Sequence, residues 1–269
     1  MSENPSLNKL RLEGKWALVC GASKGIGAAT AEALADLGAD VTLVARSEES
    51  LKHTFQKLRA QGTQRHGYFT ADFDRPDQLK SAVEDWLKGT HKVHILVNNT
   101  GGPPGGPAHQ AKPEEYQAAF SRHLICNQLL VQAVLPAMRN AGYGRIINII
   151  STSVKEPIKG LGVSNTVRAA VAGWAKTLAG ELGAYSITVN NVLPGYTRTG
   201  RLESLFGARA QKEGRTMIDI ENEARAHIPL GRIAEPEEIA AAVAFLASPA
   251  ASYITGVSLP VDGGRIQGL

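Results

Sequence analysis

Short apolar runs that alternate with helical patterns are the feature that most constrains the fold of this 269-residue chain. Five of these runs have the length and β-branched content of buried strands, and they lie at 16–20, 41–45, 93–97, 145–150 and 187–192. Patterns typical of helices lie near 25–38, 48–61, 76–88, 113–140 and 164–183. Mostly apolar strands that alternate with helices predict a parallel sheet covered by helices on both faces.

The remaining segments fit into the same unit. The tail adds a predicted helix near 235–247 and a last predicted strand at 257–261, while residues 1–14 are predicted to form a flexible arm. No low-complexity linker or repeat divides the sequence. We therefore predict a single α/β domain over residues 1–269, with a Rossmann-like, doubly wound parallel sheet flanked by helices.

Composition and charge exclude several functional classes. The chain is 43% hydrophobic and 20% charged, which is typical of a soluble globular protein, and no apolar run approaches the length of a membrane span. Its net charge of +4 is spread out, so no basic stripe indicates nucleic-acid binding. Cys20 and Cys126 lie in apolar segments, which favours buried free thiols over a disulfide or a metal site. The polar N-terminus lacks the apolar core of a secretory signal, and we expect a cytoplasmic protein.

A glycine-rich turn follows the first predicted strand and opens the first predicted helix. Such a turn lets backbone N–H groups approach a pyrophosphate at the helix N-terminus. Its spacing is G-x-x-x-G-x-G, which differs from the common G-x-G-x-x-G pattern, and a glycine turn without any ligand is the alternative. Its position after a strand favours a dinucleotide site, for which the predicted residues are Gly21, Ser23, Lys24, Gly25, Ile26 and Gly27.

The end of the second predicted strand indicates which dinucleotide is bound. A carboxylate there would bind the ribose 2′-hydroxyl of NAD(H), whereas an arginine suits the 2′-phosphate of NADP(H). The chain has Arg46 at this point, and Lys24 supplies a second cation from the glycine turn. Glu48 and Glu49 follow Ser47, which is predicted to cap a helix, so they are interpreted as acids in its first turn. We predict NADP(H) over NAD(H), although a solvated surface charge is the alternative for Arg46.

Further motifs follow in a fixed order along the chain. They are Ala71-Asp72-Phe73, Asn98-Asn99-Thr100-Gly101, Gly144-Arg145-Ile146 leading into Ser151, Pro194-Gly195 with Thr199, and a tail that runs from Arg232 to Gly264. With the glycine turn, this order resembles the short-chain dehydrogenase/reductase family over residues 13–265. The resemblance implies hydride transfer to or from a small carbonyl or alcohol substrate, and a homo-oligomer, tetrameric or dimeric, that associates through the helix near 164–183 and the C-terminal segment.

The resemblance also implies positions around the cofactor. Asp72 and Phe73 would lie near the adenine ring, and residues 198–228 would form a variable substrate lid. The implied ribose neighbours are Asn99, Thr100 and Gly101, and the implied nicotinamide neighbours are Pro194, Gly195, Thr197 and Thr199. Each has a structural alternative, because Asn98-Asn99 also suits a turn after a strand and Pro194-Gly195 also suits a loop.

The catalytic positions depart from the family pattern. The family uses a serine, a tyrosine four residues before a lysine, and an asparagine on an earlier helix. Ser151 matches the serine, whereas Ser164, Arg168 and His123 stand at the other three positions. A serine hydroxyl is a poor proton donor, and an arginine stays protonated, although Arg168 can still hold the nicotinamide ribose.

Two side chains are candidates to replace the missing proton donor. Lys155 lies four residues after Ser151, just past the end of a predicted strand, and an exposed loop lysine is the alternative. His123 could exchange protons near neutral pH, and a packing histidine is the alternative. We favour a site in which Ser151 and Ser164 hold the substrate oxygen while Lys155 supplies the proton. The competing hypotheses are a catalytically silent nucleotide-binding protein, acting as a sensor or scaffold subunit, and a non-redox enzyme that uses the same pocket.

Overall fold

One parallel sheet of seven strands organises the computed structural model, which describes residues 9–60, 62–90 and 92–268. The strands are β1 (Trp16–Cys20), β2 (Asp40–Ala45), β3 (Gly67–Thr70), β4 (Ile95–Asn98), β5 (Gly144–Ile149), β6 (Ile187–Pro194) and β7 (Ser258–Val261). Their spatial order is β3-β2-β1-β4-β5-β6-β7. The order reverses between β1 and β4, and sheets of this kind bind ligands at the carboxyl ends beside such a reversal.

Helices cover both faces of this sheet. They are α1 (Gly25–Asp36), α2 (Glu48–Lys57), α3 (Pro76–Thr90), α4 (Pro113–Phe120), α5 (Cys126–Ala141), α6 (Gly162–Leu182), α7 (Gly200–Glu213), α8 (Met217–Ala226) and α9 (Pro236–Ala247). One core layer includes Leu34 of α1 and Val243 of α9, and the other includes Leu79 of α3 and Leu130 of α5. The predicted doubly wound α/β fold is confirmed.

The structure departs from the predicted elements in three places. The edge strand β3 was not predicted, because it has only four residues and its side chains are half-buried or exposed, which leaves a weak apolar signal. The helix predicted over 113–140 is divided by a π-helical turn, Ser121–Ile125. The segment predicted as a polar lid contains two helices, α7 and α8, whose N-termini are capped by Thr199 and Thr216.

The predicted flexible arm is partly wrong. Residues 1–8 lie outside the described residues, whereas residues 9–14 pack against the domain. The Leu12 side chain is fully buried, and its backbone N–H donates to the Leu37 carbonyl at 2.7 Å. The Lys9 carbonyl accepts a hydrogen bond from the Ala250 N–H at 3.0 Å. The apolar side chain of Leu12 therefore holds this segment in place.

A chain of buried side-chain amides crosses the sheet from β4 to β7. Asn98 donates to Asn148 at 2.9 Å, Asn148 donates to Asn191 at 2.9 Å, and Asn191 donates to the Ser258 hydroxyl at 3.0 Å. These residues are also direct partners in the strand register. Shifting one strand by a single residue would turn its amide to the opposite face and leave buried polar groups without partners, which is costly. This asparagine ladder therefore fixes the register beside the carboxyl ends.

The two cysteines are buried free thiols, as predicted. Burial raises the pKa of the Cys126 thiol to about 12, so this side chain stays protonated at neutral pH. Within the described ranges, each helix is too short or too polar to cross a membrane.

Candidate active site

The glycine turn between β1 and α1 is tightly folded and is held by Asn99. A Cβ atom added to Gly27 would lie 2.2 Å from the Gly21 carbonyl oxygen, so only glycine fits there. The Asn99 side-chain amide donates to the carbonyls of Cys20 and Gly21, at 3.3 and 3.4 Å. The structure therefore brings together the predicted turn and the predicted ribose neighbour Asn99. A cradle of bare backbone at a helix N-terminus suits a pyrophosphate.

The predicted cations lie beside this turn. Lys24 is exposed at the N-cap of α1, and the Arg46 side chain is 70% exposed at the end of β2. Arg46 pairs with Asp74 at 3.6 Å, and the Asp74 carboxylate also accepts a hydrogen bond from Arg122. Exposed ion pairs of this kind contribute little stability, so Arg46 can exchange this partner for a phosphate at little cost. Ser47 caps α2 as predicted, its hydroxyl accepting from the Ser50 N–H at 3.3 Å.

The predicted adenine neighbours have different surroundings. The Asp72 carboxylate is half-buried and accepts a hydrogen bond from the Asp74 N–H at 3.0 Å. The Phe73 ring is only 7% exposed and packs in the core with Leu79 and Val83. Phe73 therefore contributes its ring to the core, and Asp72 is the member of the pair that keeps an accessible side chain.

The loop after β6 reaches the glycine turn. The Gly195 N–H donates to the Val261 carbonyl at 2.9 Å, which fixes the start of the loop. Thr197 is buried, and its hydroxyl donates to the Gly195 carbonyl at 3.2 Å. A Cβ atom on Gly25 would lie 3.1 Å from the Thr199 methyl group. Of the predicted nicotinamide neighbours, Pro194 ends β6, and Gly195, Thr197 and Thr199 follow in a loop that meets the predicted phosphate turn.

Ser151 and Ser164 come from two elements that pack together. Ser151 follows β5, and its hydroxyl accepts from the Ser153 N–H at 3.1 Å, which caps a short 3-10 turn. That turn packs against α6, in whose first turn the Ser164 side chain is buried. The intervening loop is clamped by Asn165, whose amide donates to the Ile158 carbonyl at 2.9 Å. Lys155 lies in this loop with its side chain exposed, so burial does not desolvate its ammonium group.

Arg168 ties α6 to the end of β5. Its side chain is 8% exposed, and Nη1 donates to the Ile149 carbonyl at 2.8 Å. The buried Nε atom has no hydrogen-bond partner among the described residues. Burial, with a smaller contribution from the charge of Arg201, lowers the pKa of Arg168 to about 10. The guanidinium is therefore charged at neutral pH and keeps unused donors for a ligand.

His123 is buried in the π-helical turn before α5. Its Nδ1 atom lies 2.7 Å from the Thr100 hydroxyl, and its Nε2 atom has no partner among the described residues. Burial and, to a smaller extent, the charges of Arg168, Arg122 and Arg201 together lower the pKa of His123 to about 2. The ring is neutral at physiological pH. This burial argues against the expectation that His123 exchanges protons near neutral pH, because a protonated ring would be a buried cation among other cations.

Sequence reasoning missed Arg201, in the first turn of α7. Its Nη2 atom donates to the Pro103 carbonyl in the loop after β4, and its guanidinium lies against Gly102. Burial lowers the pKa of Arg201 as well. Arg201 lies within the predicted lid. The sequence around it does not indicate that its side chain contacts the loop after β4.

The buried neutral state of His123 predicts a pH-dependent stability. Its pKa is about 2 in the fold and about 6.5 in the unfolded chain, so below pH 6.5 the unfolded chain binds a proton that the folded chain does not. The stabilisation of the fold by neutral His123 is thus lost progressively as the pH falls below 6.5. We expect the unfolding free energy, measured by urea denaturation, to fall when the pH is lowered from about 7 to about 5. In the His123→Asn variant this decrease should be smaller by about 2 kcal/mol than in the unsubstituted protein.

His53→Asn is the matched control for that measurement, since His53 is exposed on α2. It removes a histidine without removing a buried ring. Identical pH dependence in His123→Asn and in the unsubstituted protein would contradict the buried neutral state.

Comparisons with known proteins place this arrangement in a family. The family model described as enoyl-(acyl carrier protein) reductase matches residues 21–265. A 3-oxoacyl-[acyl-carrier-protein] reductase of Vibrio cholerae is 37% identical over 257 residues, which are 95% of this chain and 98% of that protein. A short-chain reductase of Streptomyces niveus is 35% identical over 251 residues, 93% of each chain.

Solved structures agree with these sequence relatives. L-sorbose reductase from Gluconobacter frateurii, solved with NADPH and L-sorbose, superposes with a TM-score of 0.90 at 30% identity, covering 97% of this chain and all of that chain. An NADPH-dependent reductase involved in bacilysin biosynthesis superposes with a TM-score of 0.89 at 26% identity, covering 95% and 99%. With its glycine turn, its asparagine clamp and its sheet order, this chain belongs to the short-chain dehydrogenase/reductase family of oxidoreductases.

Proposed function

We propose that this protein is an NADP(H)-dependent oxidoreductase that interconverts a small carbonyl compound and its alcohol. The observation that carries the proposal is the backbone cradle at Gly21–Gly27, closed by Asn99 and flanked by the exposed cations Lys24 and Arg46. A Cβ atom would fill this cradle, so its open backbone fits a pyrophosphate. The solved relatives support the same cofactor, since one holds NADPH and another is described as NADPH-dependent.

Each part of the site has a role in this proposal. Lys24 and Arg46 bind the 2′-phosphate, and the loop with Thr197 and Thr199 borders the nicotinamide. When bound, the cofactor would supply a hydride from nicotinamide C4 to the carbonyl carbon, and the carbonyl oxygen would take up a proton. Arg168 binds the nearby ribose with the donors that Ile149 leaves free. Helices α7 and α8 form the substrate lid.

The proton must come from a group other than the two serines. Ser151 and Ser164 donate hydrogen bonds to the substrate oxygen and hold it in place, but their hydroxyls are too weakly acidic to release a proton. His123 is neutral and buried, so it acts by packing against the site. Lys155, in the loop clamped by Asn165, supplies the proton and recovers it from water.

A second candidate function is a catalytically silent nucleotide-binding protein, acting as a sensor or scaffold subunit. The observation that favours it is the absence of a titratable side chain at Ser164, which is buried in the first turn of α6. A non-redox enzyme in the same pocket would also keep the cofactor frame. Either candidate retains the glycine turn and Arg168, so binding alone does not separate them from the oxidoreductase.

We also propose that the protein is cytoplasmic and forms a homo-oligomer, a tetramer or a dimer. In the C-terminal segment, the large apolar side chains of Phe245, Tyr253 and Val257 are exposed. Exposed apolar side chains of this kind suit a protein interface.

Cofactor choice depends on Arg46 in this proposal. Arg46→Gln should weaken NADPH binding about tenfold, because it removes a charged hydrogen bond to the 2′-phosphate, and should leave NADH binding unchanged. Fluorescence titration of the reduced cofactors measures both affinities. Lys52→Gln is the control, since it removes an exposed cation that pairs with Glu48 on the same helix. Equal weakening of NADPH and NADH by Arg46→Gln would contradict the assignment.

Proton transfer depends on Lys155. With a carbonyl panel as substrates, Lys155→Ala should lower kcat about 100-fold or more, which is the usual contribution of a general acid, and should leave NADPH affinity unchanged. The control is Lys159→Ala, which removes another exposed lysine from the same loop.

Full turnover by Lys155→Ala would exclude Lys155 as the proton donor. The double variant Ser164→Tyr with Arg168→Lys tests the silent alternative in the same assay. An inactive native protein combined with an active double variant would favour the nucleotide-binding protein over the oxidoreductase.

A further inference from the structure

Two arginine side chains border the candidate active site. Arg168 is buried at the end of β5, and Arg201 enters from α7 across the loop after β4. They are close enough for the charge of Arg201 to lower the pKa of Arg168. Burial lowers the pKa of both groups. Placing two like charges in a partly desolvated site is unfavourable unless an anion joins them.

The described residues supply no such anion. No ion pair formed by the described residues includes Arg168 or Arg201. The neighbouring arginines behave differently. Arg198 pairs with Glu235 at 3.0 Å, and Arg209 pairs with Glu213 at 2.7 Å. The part of the chain that the structure describes therefore provides carboxylates for Arg198 and Arg209 and none for Arg201.

The same region contains buried polar atoms without partners. The Nε atom of Arg168 and the Nε2 atom of His123 have none among the described residues, and these two side chains are 8% and 3% exposed. If the Thr100 hydroxyl donates to Nδ1 of His123, then Nε2 carries the proton and is a donor. Buried donors are normally satisfied, so these atoms favour an acceptor that a ligand brings.

We propose that the substrate carries a carboxylate, which Arg201 binds at the rim of the site while Arg168 adds positive charge from beneath. The substrate is then an oxo acid or the corresponding hydroxy acid. The carbonyl or alcohol part of this inference rests on the proposed function. A planar guanidinium suits a carboxylate because it can donate two parallel hydrogen bonds. Arg201 is exposed, so a ligand can reach it.

A cofactor phosphate is the other possible source of the anion. The structure favours the substrate, because the cradle for the pyrophosphate and the cations Lys24 and Arg46 lie at β1 and β2. Arg201 instead contacts Gly102 and Pro103, in the loop after β4. Carboxylate binding and cofactor binding can therefore be tested separately.

Matched acids and esters test the proposal. Pyruvate, acetoacetate and levulinate place a carboxylate at increasing distance from a carbonyl, and their methyl esters remove the charge alone. Binding to the full-length protein is followed by ligand-observed NMR with NADP⁺ present, and oxidation of NADPH is followed by absorbance. At least one acid should bind about tenfold more tightly than its ester, and Arg201→Gln should abolish that preference without changing NADPH affinity. Lys212→Gln, which removes an exposed cation from the same helix, should keep it.

Each outcome decides a separate point. Equal binding of every acid and its ester, or an unchanged preference in Arg201→Gln, would overturn the carboxylate site. Weaker NADPH binding in Arg201→Gln would assign Arg201 to a cofactor phosphate and would also overturn the carboxylate site. Selective binding of an acid without any NADPH oxidation would support the carboxylate site and contradict the proposed oxidoreductase. Oxidation of NADPH at equal rates with the esters and the acids would support the proposed oxidoreductase and overturn the carboxylate site.

Discussion

The shared register of β4, β5, β6 and β7 is the constraint on which the rest of the site depends. The asparagine ladder holds it, with Asn98, Asn148 and Asn191 joined by hydrogen bonds of 2.9 Å. Each asparagine of the ladder lies in a strand that leads into the site. Asn98 is followed by Asn99, Asn148 is followed by Ile149, and Asn191 lies three residues before Pro194 at the end of β6. Buried amides must be satisfied, so a shift of any one strand would break the ladder and displace these segments together.

Arg168 fixes the position of α6 relative to this sheet. Its hydrogen bond to the Ile149 carbonyl ties α6 to the end of β5, which sets the position of Ser164 relative to Ser151. The cost is a buried cation, to which Arg201 adds a second positive charge. Both charges oppose protonation of His123, which stays neutral at Thr100. Among the described residues, the site is therefore electropositive, with two arginines and a neutral histidine, and the anion that balances these charges has to come from the ligand.

Much of this arrangement could be predicted from the sequence, because it depends on local patterns. β1 has the predicted bounds, since five apolar residues precede a glycine turn, and Ser47 caps α2 as expected. The lid helices were missed although Thr216 and Asp219 form a capping box that is visible in the sequence. The position of Arg201 could not be predicted, because it depends on how α7 packs across the loop at Pro103. Likewise, the identity of His123 suggested a proton donor, while its burial, which decides its charge, is a property of the fold.

Transfer of hydride is the central claim, and an isotope label tests it most directly. NADPH carrying deuterium at C4 is incubated with the protein and a panel of oxo acids, and the products are analysed by mass spectrometry. The account predicts an alcohol with one deuterium on the former carbonyl carbon, formed at the expense of the labelled cofactor. Saturable binding of NADPH without deuterium in any product would contradict it and would leave a nucleotide-binding protein that does not turn its cofactor over.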